Sequence, residues 1–522
     1  MEQPRGWTWQ DRAEGSIRRG AALDPTVEPV GGVRAFPTAY LPERLLITND
    51  RDDDNEAYDG EIRALIDAAR SFGWNLDLES PETRLAAGPL LPGVAGFLRA
   101  HLTTPDEPSR GESPVPPDAW RVLQRARRST GTPMPRTSLE HVLSIDPVGL
   151  NPFSRTNPFS RTNPFSRTNP VRGAGAGGSD DYLEPGRGAR QPVTWIGAAP
   201  QRAAAPKRGR RPVVAVLDTG CGTHEWLPDD IVTRHVELDG VPVGLTDDAD
   251  PERYPDLYGQ LDGEIDAVAG HGTFIAGIIR QTAPDADILS VRMAGALGVI
   301  DESTFLVTVS QVVELLRRHR EDPSTGHPID VLNLSLGYYH ETPTDGLFSR
   351  TLEAILTTAR ELGCIVVCSA GNDAIDRPSF PASLWPWPGA DNGIPADADA
   401  PLVSVGALNP SARSVALFSN VGPWVRVYAP GAAVVSTSPA FVGGEQATTR
   451  ADVDGLRRET IDPDDYRGGF SIWSGTSFAA PFVAGRIAAR LGTVPPQGIT
   501  RDAAAKAVAA VLKALPTPVT RE

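Results

Sequence analysis

Residues 212–220 read PVVAVLDTG, an unbroken apolar run that stops at Asp-Thr-Gly. A run without polar alternation suits a strand covered on both faces, since a half-exposed strand would alternate. The same texture returns in ILSVRM (288–293), VLNLSLG (331–337), CIVVCSAGN (364–372) and LVSVGAL (402–408). Helical patterns lie between them, in HGTFIAGIIRQ from 271 and over 303–320 and 347–362. This alternation predicts an α/β fold: a mostly parallel, doubly wound sheet with helices on both faces. In such a sheet the chemistry sits at the carboxyl ends of the strands.

Outward from this core the chain divides. Residues 1–36 show no sustained periodicity and read as a mobile or loosely docked arm. Over 37–145, Leu45-Leu46-Ile47-Thr48 reads as a strand and Glu56 to Trp74 as an amphipathic helix; weaker helical signals fall at 92–102 and 117–128. This predicts a small N-terminal α/β domain, accessory or prodomain-like. Residues 146–210 form a linker rich in Pro, Gly and Arg. The hexad NPFSRT occurs there at 151–156, 157–162 and 163–168, and its Asn-Pro steps break helices and ladders alike. The sheet-forming unit takes 211–495, and 496–522 reads as a terminal helix and tail.

Composition excludes several classes. The 522 residues, 22% charged and 40% hydrophobic, are globular in character and too many for one compact domain. A net charge of −16 repels nucleic acid and anionic membranes. No run approaches the roughly 18 apolar residues of a membrane span. The opening MEQPRGWTWQDRAEG has no apolar stretch of signal-peptide type, which predicts a cytoplasmic protein. Cys221, Cys364 and Cys368 are too few and odd in number to staple the fold, as expected where thiols stay reduced.

Three segments place a reactive residue type where strand gives way to loop or helix. Asp218 follows the first apolar run; by itself it could hold a metal or phosphate, or merely cap a turn. His271 opens a helix within GHGTFIAG, whose small residues allow close backbone approach. Ser477, in SGTSFAAPFVAG, starts a helix rich in Ala and Gly, with the dipole and free N–H groups of its first turn facing the hydroxyl. Alone, it could be a simple N-cap. The order Asp, His, Ser differs from the α/β-hydrolase and chymotrypsin orders and fits that of subtilisin.

On these motifs the chain resembles the subtilisin-like serine peptidases over about residues 211–492. VVAVLDTG, GHGTFIAG and SGTSFAAPFVAG are similar to the family's Asp, His and Ser segments, and LFSNVGPWVRVYAPG (417–431) to the stretch ahead of the Ser segment. The resemblance implies a serine endopeptidase with Asp218, His271 and Ser477 as catalytic triad and an acyl-enzyme intermediate. VVCSAGND resembles the segment that supplies the oxyanion-hole Asn, here Asn372. VLNLSLG resembles the strand that holds substrate backbone, here Ser335, Leu336 and Gly337, while Ser369, Ala370 and Gly371 resemble a wall of the primary specificity pocket. Phe274 stands where the family often has a second His, and residues 439–470 are an acidic, polar insertion that could cover the site as a flap. Cys221, three residues past Asp218, is either core filler or a sensitive thiol.

The implied partner is a polypeptide, with no cofactor needed for the chemistry. Between Val213 and His271 there are fourteen acidic and two basic residues, many in TDDADPERYPDLYGQLDGEID (246–266). That loop reads as solvated, as a structural calcium site, or as a rim that selects basic substrates. Residues 151–211 hold eleven Lys or Arg against three acidic residues, so the linker, with Arg155, Arg161 and Arg167, is an intramolecular candidate for the cleft. The N-terminal region is then an inhibitory prodomain or a sensor that gates the protease. The alternative from another class is a catalytically inactive, peptide-binding scaffold of the same fold.

Overall fold

The computed structural model describes residues 3–16, 20–30, 35–49, 55–79, 91–105, 115–145, 182, 186–259, 263–342, 350–390, 394, 402–444 and 446–519. The NPFSRT repeats, with Arg155, Arg161 and Arg167, lie outside the described residues.

The first group of elements is β1 (Ala39–Asn49), α1 (Asn55–Ser71), β2 (Asn75–Glu79), β3 (Gly96–Thr103), α2 (Ala119–Thr130) and β4 (Thr137–Ser144). Their β-α-β-β-α-β order yields an antiparallel sheet with a core of its own, in which Leu45, Ile47, Leu65, Trp120, Leu123 and Leu139 are buried. Asp118 caps α2 by accepting from the N–H of Trp120 and Arg121, and Gly131 closes it in the left-handed region at φ 68°. One expectation is corrected here. Residues 92–102 do not form a helix; Gly96–Thr103 is the strand β3, paired with both β1 and β2. Leu and Ala suit either state, and the two flanking strands that satisfy its backbone decide between them.

The second group is β5 (Val213–Asp218), β6 (Val232–Thr233), α3 (His271–Thr282), β7 (Asp287–Arg292), β8 (Val299–Asp301), α4 (Glu302–Glu321), β9 (Val331–Leu334), α5 (Arg350–Glu361), β10 (Ile365–Ser369), β11 (Val403–Leu408), β12 (Val427–Pro430), β13 (Val434–Thr437), β14 (Phe470–Trp473), α6 (Thr476–Leu491) and α7 (Arg501–Ala514). Seven strands run in the order β12-β11-β10-β9-β5-β7-β6, and every pairing is parallel. All residues of β5, β9, β10 and β11 are buried, as their continuous apolar runs require. One face packs on α4 and α5 through Phe305, Val312, Leu316, Leu352 and Leu356, the other on α3 and α6 through Ile275, Ile279, Phe478, Val483 and Ile487.

The two groups are joined by backbone pairing and by side-chain contacts, among them Arg44 with Asp301 and Leu91 N–H with the Ser310 hydroxyl. β8 pairs antiparallel with β4, so the N-terminal sheet continues into the second group. Ser144 then forms a bridge with Gly337. The amino-terminal segment is also engaged over part of its length: Trp7 Nε1 donates to the Leu257 carbonyl at 3.0 Å, and the buried Arg12 ion-pairs with Asp256. Among the described residues, no helix is long and apolar enough to cross a membrane.

Candidate active site

Asp218 ends β5, and His271 is the first residue of α3, preceded by Gly270 at φ 80°. Both side chains are fully buried, and His271 Nδ1 lies 2.7 Å from Asp218 Oδ1. That oxygen also accepts from the Thr219 N–H at 2.8 Å, and the Thr219 hydroxyl oxygen lies 3.1 Å away. With Nδ1 against a carboxylate, Nδ1 carries the proton and the lone pair is on Nε2. Nε2 is buried without a hydrogen-bond partner among the described residues. Trp473 meets the imidazole edge-on with centroids 5.6 Å apart, and Phe478 packs at 5.2 Å. The close approach of α3 to the Asp218 turn depends on Gly272, where any Cβ would collide with the Gly220 carbonyl.

Ser477 lies in the first turn of α6 and is buried. Its hydroxyl donates to the Ser335 carbonyl at 3.3 Å. Its own carbonyl accepts from the Ser335 hydroxyl at 2.9 Å, and that hydroxyl accepts from Asn333 Nδ2 at 2.9 Å. Pro481 explains the second bond: four residues on, it has no N–H to offer the Ser477 carbonyl, so a side chain supplies the missing donor. The substrate-type segment after β9 and the Ser477 turn are thereby fastened to one another.

Asn372 follows β10 and is oriented by its oxygen, which accepts from the Thr476 N–H at 2.8 Å. This presents the amide nitrogen as a donor next to the Ser477 turn; a Cβ on Gly475 would lie 3.7 Å from it. Gly371 N–H donates to Thr476 Oγ1 at 3.1 Å, so the two segments meet at consecutive residues. Ser369, Ala370 and Gly371 line up behind Asn372. Gly371 adopts φ 99°, and a Cβ there would run into Asn420 Nδ2. Sequence reasoning assigned no role to Asn420, yet it holds this wall: its amide nitrogen donates to the Ala370 carbonyl at 2.8 Å and its oxygen accepts from the Asp373 N–H at 3.2 Å. Its position within LFSNVGPW was the available signal.

Beside Leu336 and Gly337 the chain places its own backbone. Ser144 N–H donates to the Gly337 carbonyl at 3.0 Å, Gly337 N–H to the Ser144 carbonyl at 3.1 Å, and Ile145 N–H to the Gly298 carbonyl at 2.7 Å. Leu143, Ser144 and Ile145 thus run as a strand between 298–300 and 337.

Other expectations resolve as follows. Cys221 is buried, and burial pushes its thiol up to about 12, so it is protonated filler at neutral pH. Residues 450–459 of the insertion form an exposed hairpin, while Phe441 and Tyr466 pack on Ile265 and Ala269 just ahead of His271. In the acidic loop, Asp266 accepts from the N–H of Leu257 and Tyr258 and Asp250 from that of Glu252, which spends carboxylates on loop backbone. Among the described residues the side chains grouped closely enough to hold an ion are His141, His340 and Glu341, a donor set unlike calcium's oxygen shell.

The profile of the subtilase family, Peptidase_S8, matches residues 209–512. An intracellular serine protease of Paenibacillus polymyxa is 28% identical over 54% of this chain and 67% of its own length. An extracellular protease of Xanthomonas campestris pv. campestris is 27% identical over 59% of this chain and 48% of its own, so the chain spans roughly half to two thirds of these relatives. Among solved structures, fervidolysin from Fervidobacterium pennivorans aligns at a TM-score of 0.42 and 18% identity, covering 94% of this chain and 59% of that one. With the profile spanning more than half of its residues, the chain belongs to the subtilase family.

Proposed function

We propose that the protein is a serine endopeptidase in which Ser477 is the nucleophile, His271 the general base and acid, and Asp218 the carboxylate that fixes the imidazole tautomer. The observation that carries this reading is the 2.7 Å contact between buried His271 Nδ1 and Asp218 Oδ1, which leaves Nε2 without a partner among the described residues, while Phe478, the residue after Ser477, packs on the imidazole at 5.2 Å. A serine hydroxyl is a weak nucleophile until a base takes its proton. In the reaction it turns from the Ser335 carbonyl to Nε2 and attacks the peptide carbonyl as the proton passes to His271. The proton then goes to the leaving amine, and water repeats the sequence on the acyl-enzyme. Asn372 Nδ2 and the Ser477 N–H meet the negative oxygen of the tetrahedral intermediate. Polypeptide substrate lies extended beside Ser335, Leu336 and Gly337, so main-chain bonds supply affinity, and the wall from Ser369 to Gly371 selects the side chain.

The same reading makes residues 37–145 an inhibitory prodomain-like unit. A substrate laid beside Gly337 needs its backbone N–H and carbonyl, and Ser144 already holds both. The three buried, unpaired thiols are consistent with a cytoplasmic setting.

A fluorophosphonate probe tests the chemistry. Covalent labelling of the full chain, lost in Ser477→Ala along with peptide hydrolysis, is the expected result; turnover should fall on the order of 10⁶-fold, the loss known for subtilisin. A folded, undocked chain that takes up no label would refute the endopeptidase reading.

A further inference from the structure

Glu252 belongs to the acidic loop, but it is 3% exposed and sits behind the Asp218–His271 pair. Its Oε1 accepts from the Thr219 hydroxyl and from the Gly272 N–H at 3.0 Å; Oε2 accepts from the Thr273 hydroxyl and from the Thr273 N–H at 3.3 Å. Thr219 and Gly272 are the residues immediately after Asp218 and His271. Thr219 Oγ1 lies 3.1 Å from Asp218 Oδ1 and accepts from Gly272 N–H at 2.8 Å. The carboxylate therefore grips the turn that carries the acid with one oxygen and the helix start that carries the base with both.

A buried carboxylate is costly, and no cation pairs with this one among the described residues. The donors of the α3 N-terminus compensate it. Burial, and after it the nearby Asp250 and Asp218, still push its pKa up to about 7 against the opposing pull of the Thr219 and Thr273 hydroxyls. A fold in need of packing alone would place an apolar or amide side chain here. A carboxyl group buried at this cost, bonded to the residues that follow Asp218 and His271, points to control of their geometry.

We propose that Glu252 is a positioning residue for the Asp218–His271 couple, a clamp that holds the acid turn and the base helix in register. It touches no substrate. Its effect passes through the His271–Asp218 hydrogen bond, and the assignment rests on the roles proposed above for those two residues.

The test uses the full chain and two readouts. Proton NMR follows the His271 Nδ1–H, identified by its loss in His271→Ala, which a carboxylate partner shifts far downfield. In Glu252→Gln an NH2 must face an N–H or hydroxyl donor, so the resonance should move upfield and exchange faster. In parallel, kcat should fall about 10- to 100-fold at nearly constant KM, with partial recovery in Glu252→Asp. In a His271→Ala background the same substitution should cost nothing further, whereas damage to the fold would add. Should Glu252→Gln fail to fold, Thr219→Val cuts the link from the other side and the same readouts apply. An unchanged resonance and kcat, or an additive loss without His271, would overturn the clamp. A chain lacking peptidase activity in which the resonance still depends on Glu252 would sink the proposed function and sustain the clamp.

Discussion

At the scale of single residues, the site is a set of side chains whose free hydrogen-bonding capacity is fixed by what the other half of each group already does. Asn372 illustrates how one half of a group orients the other: its oxygen accepts from the Thr476 N–H and so sets the amide beside the Ser477 turn. Asn372→Ala should therefore lower kcat by about 10²–10³ and leave KM nearly unchanged, because the donor meets charge that exists only in the transition state. Steady-state kinetics on a peptide substrate check it; a loss confined to KM would contradict the role. Phe274, which departs from the family pattern, is buried and packs on Phe478 with centroids 4.5 Å apart, so that position serves packing. Asp218, His271, Ser477 and Asn372 were legible because each falls in a short motif at a strand end or a helix start. Glu252 carried no such mark, since an acid in an acidic loop is an ordinary residue until the fold brings it to a site, while Asn420 lay within LFSNVGPW with no role marked for it.

At the scale of elements, parallel strands bring the proposed reacting groups to one edge. Asp218 and Ser369 end β5 and β10, Ser335 follows β9, and α3 and α6 begin with His271 and Ser477 in their first turns. β4 then meets that edge from the N-terminal group, with Ser144 as its last residue. Ser144→Pro removes the N–H given to Gly337 without touching the reacting residues. Peptide hydrolysis by the full chain should rise several-fold in this variant, and no rise would count against inhibition by β4. The helices over 303–320 and 347–362 were readable from periodicity and appear as Glu302–Glu321 and Arg350–Glu361. The misread strand Gly96–Thr103 was not readable, because its state depends on partners far along the chain.

At the scale of the whole molecule, the two groups are latched by buried ionisable side chains. His141 on β4 lies 2.7 Å from Glu302 at the start of α4 through Nδ1 and 2.7 Å from Glu341 through Nε2; His340, Tyr338 and Arg127 complete the surroundings. Burial lowers the pKa of His141, but the two carboxylates outweigh it and raise it to about 9; its contribution is full below 6.5 and is lost as pH rises through 9. Burial depresses His340 to about 4 despite Glu341, so the unfolded chain takes up this proton first and stability falls as pH drops from 6.5 toward 4. Glu341 is held below the usual carboxylate range because His340 and His141 outweigh its burial. Thermal melts of the Ser477→Ala chain should show the stability difference from His340→Gln changing on the acid side of pH 6.5, and that from His141→Gln changing between 6.5 and 9. Differences that stay flat with pH would discount the latch.

The sequence by itself determined the parallel sheet, the order of the reacting residues and the family, because buried strands need continuous apolar runs and catalytic turns need Gly and small residues at set spacings. Only the tertiary structure decided that Ser144 lies against Gly337, that Glu252 bridges two turns, and that His141 rests between two glutamates. Those contacts join residues 20 to 200 positions apart whose local sequences are compatible with many partners, and burial chooses among them.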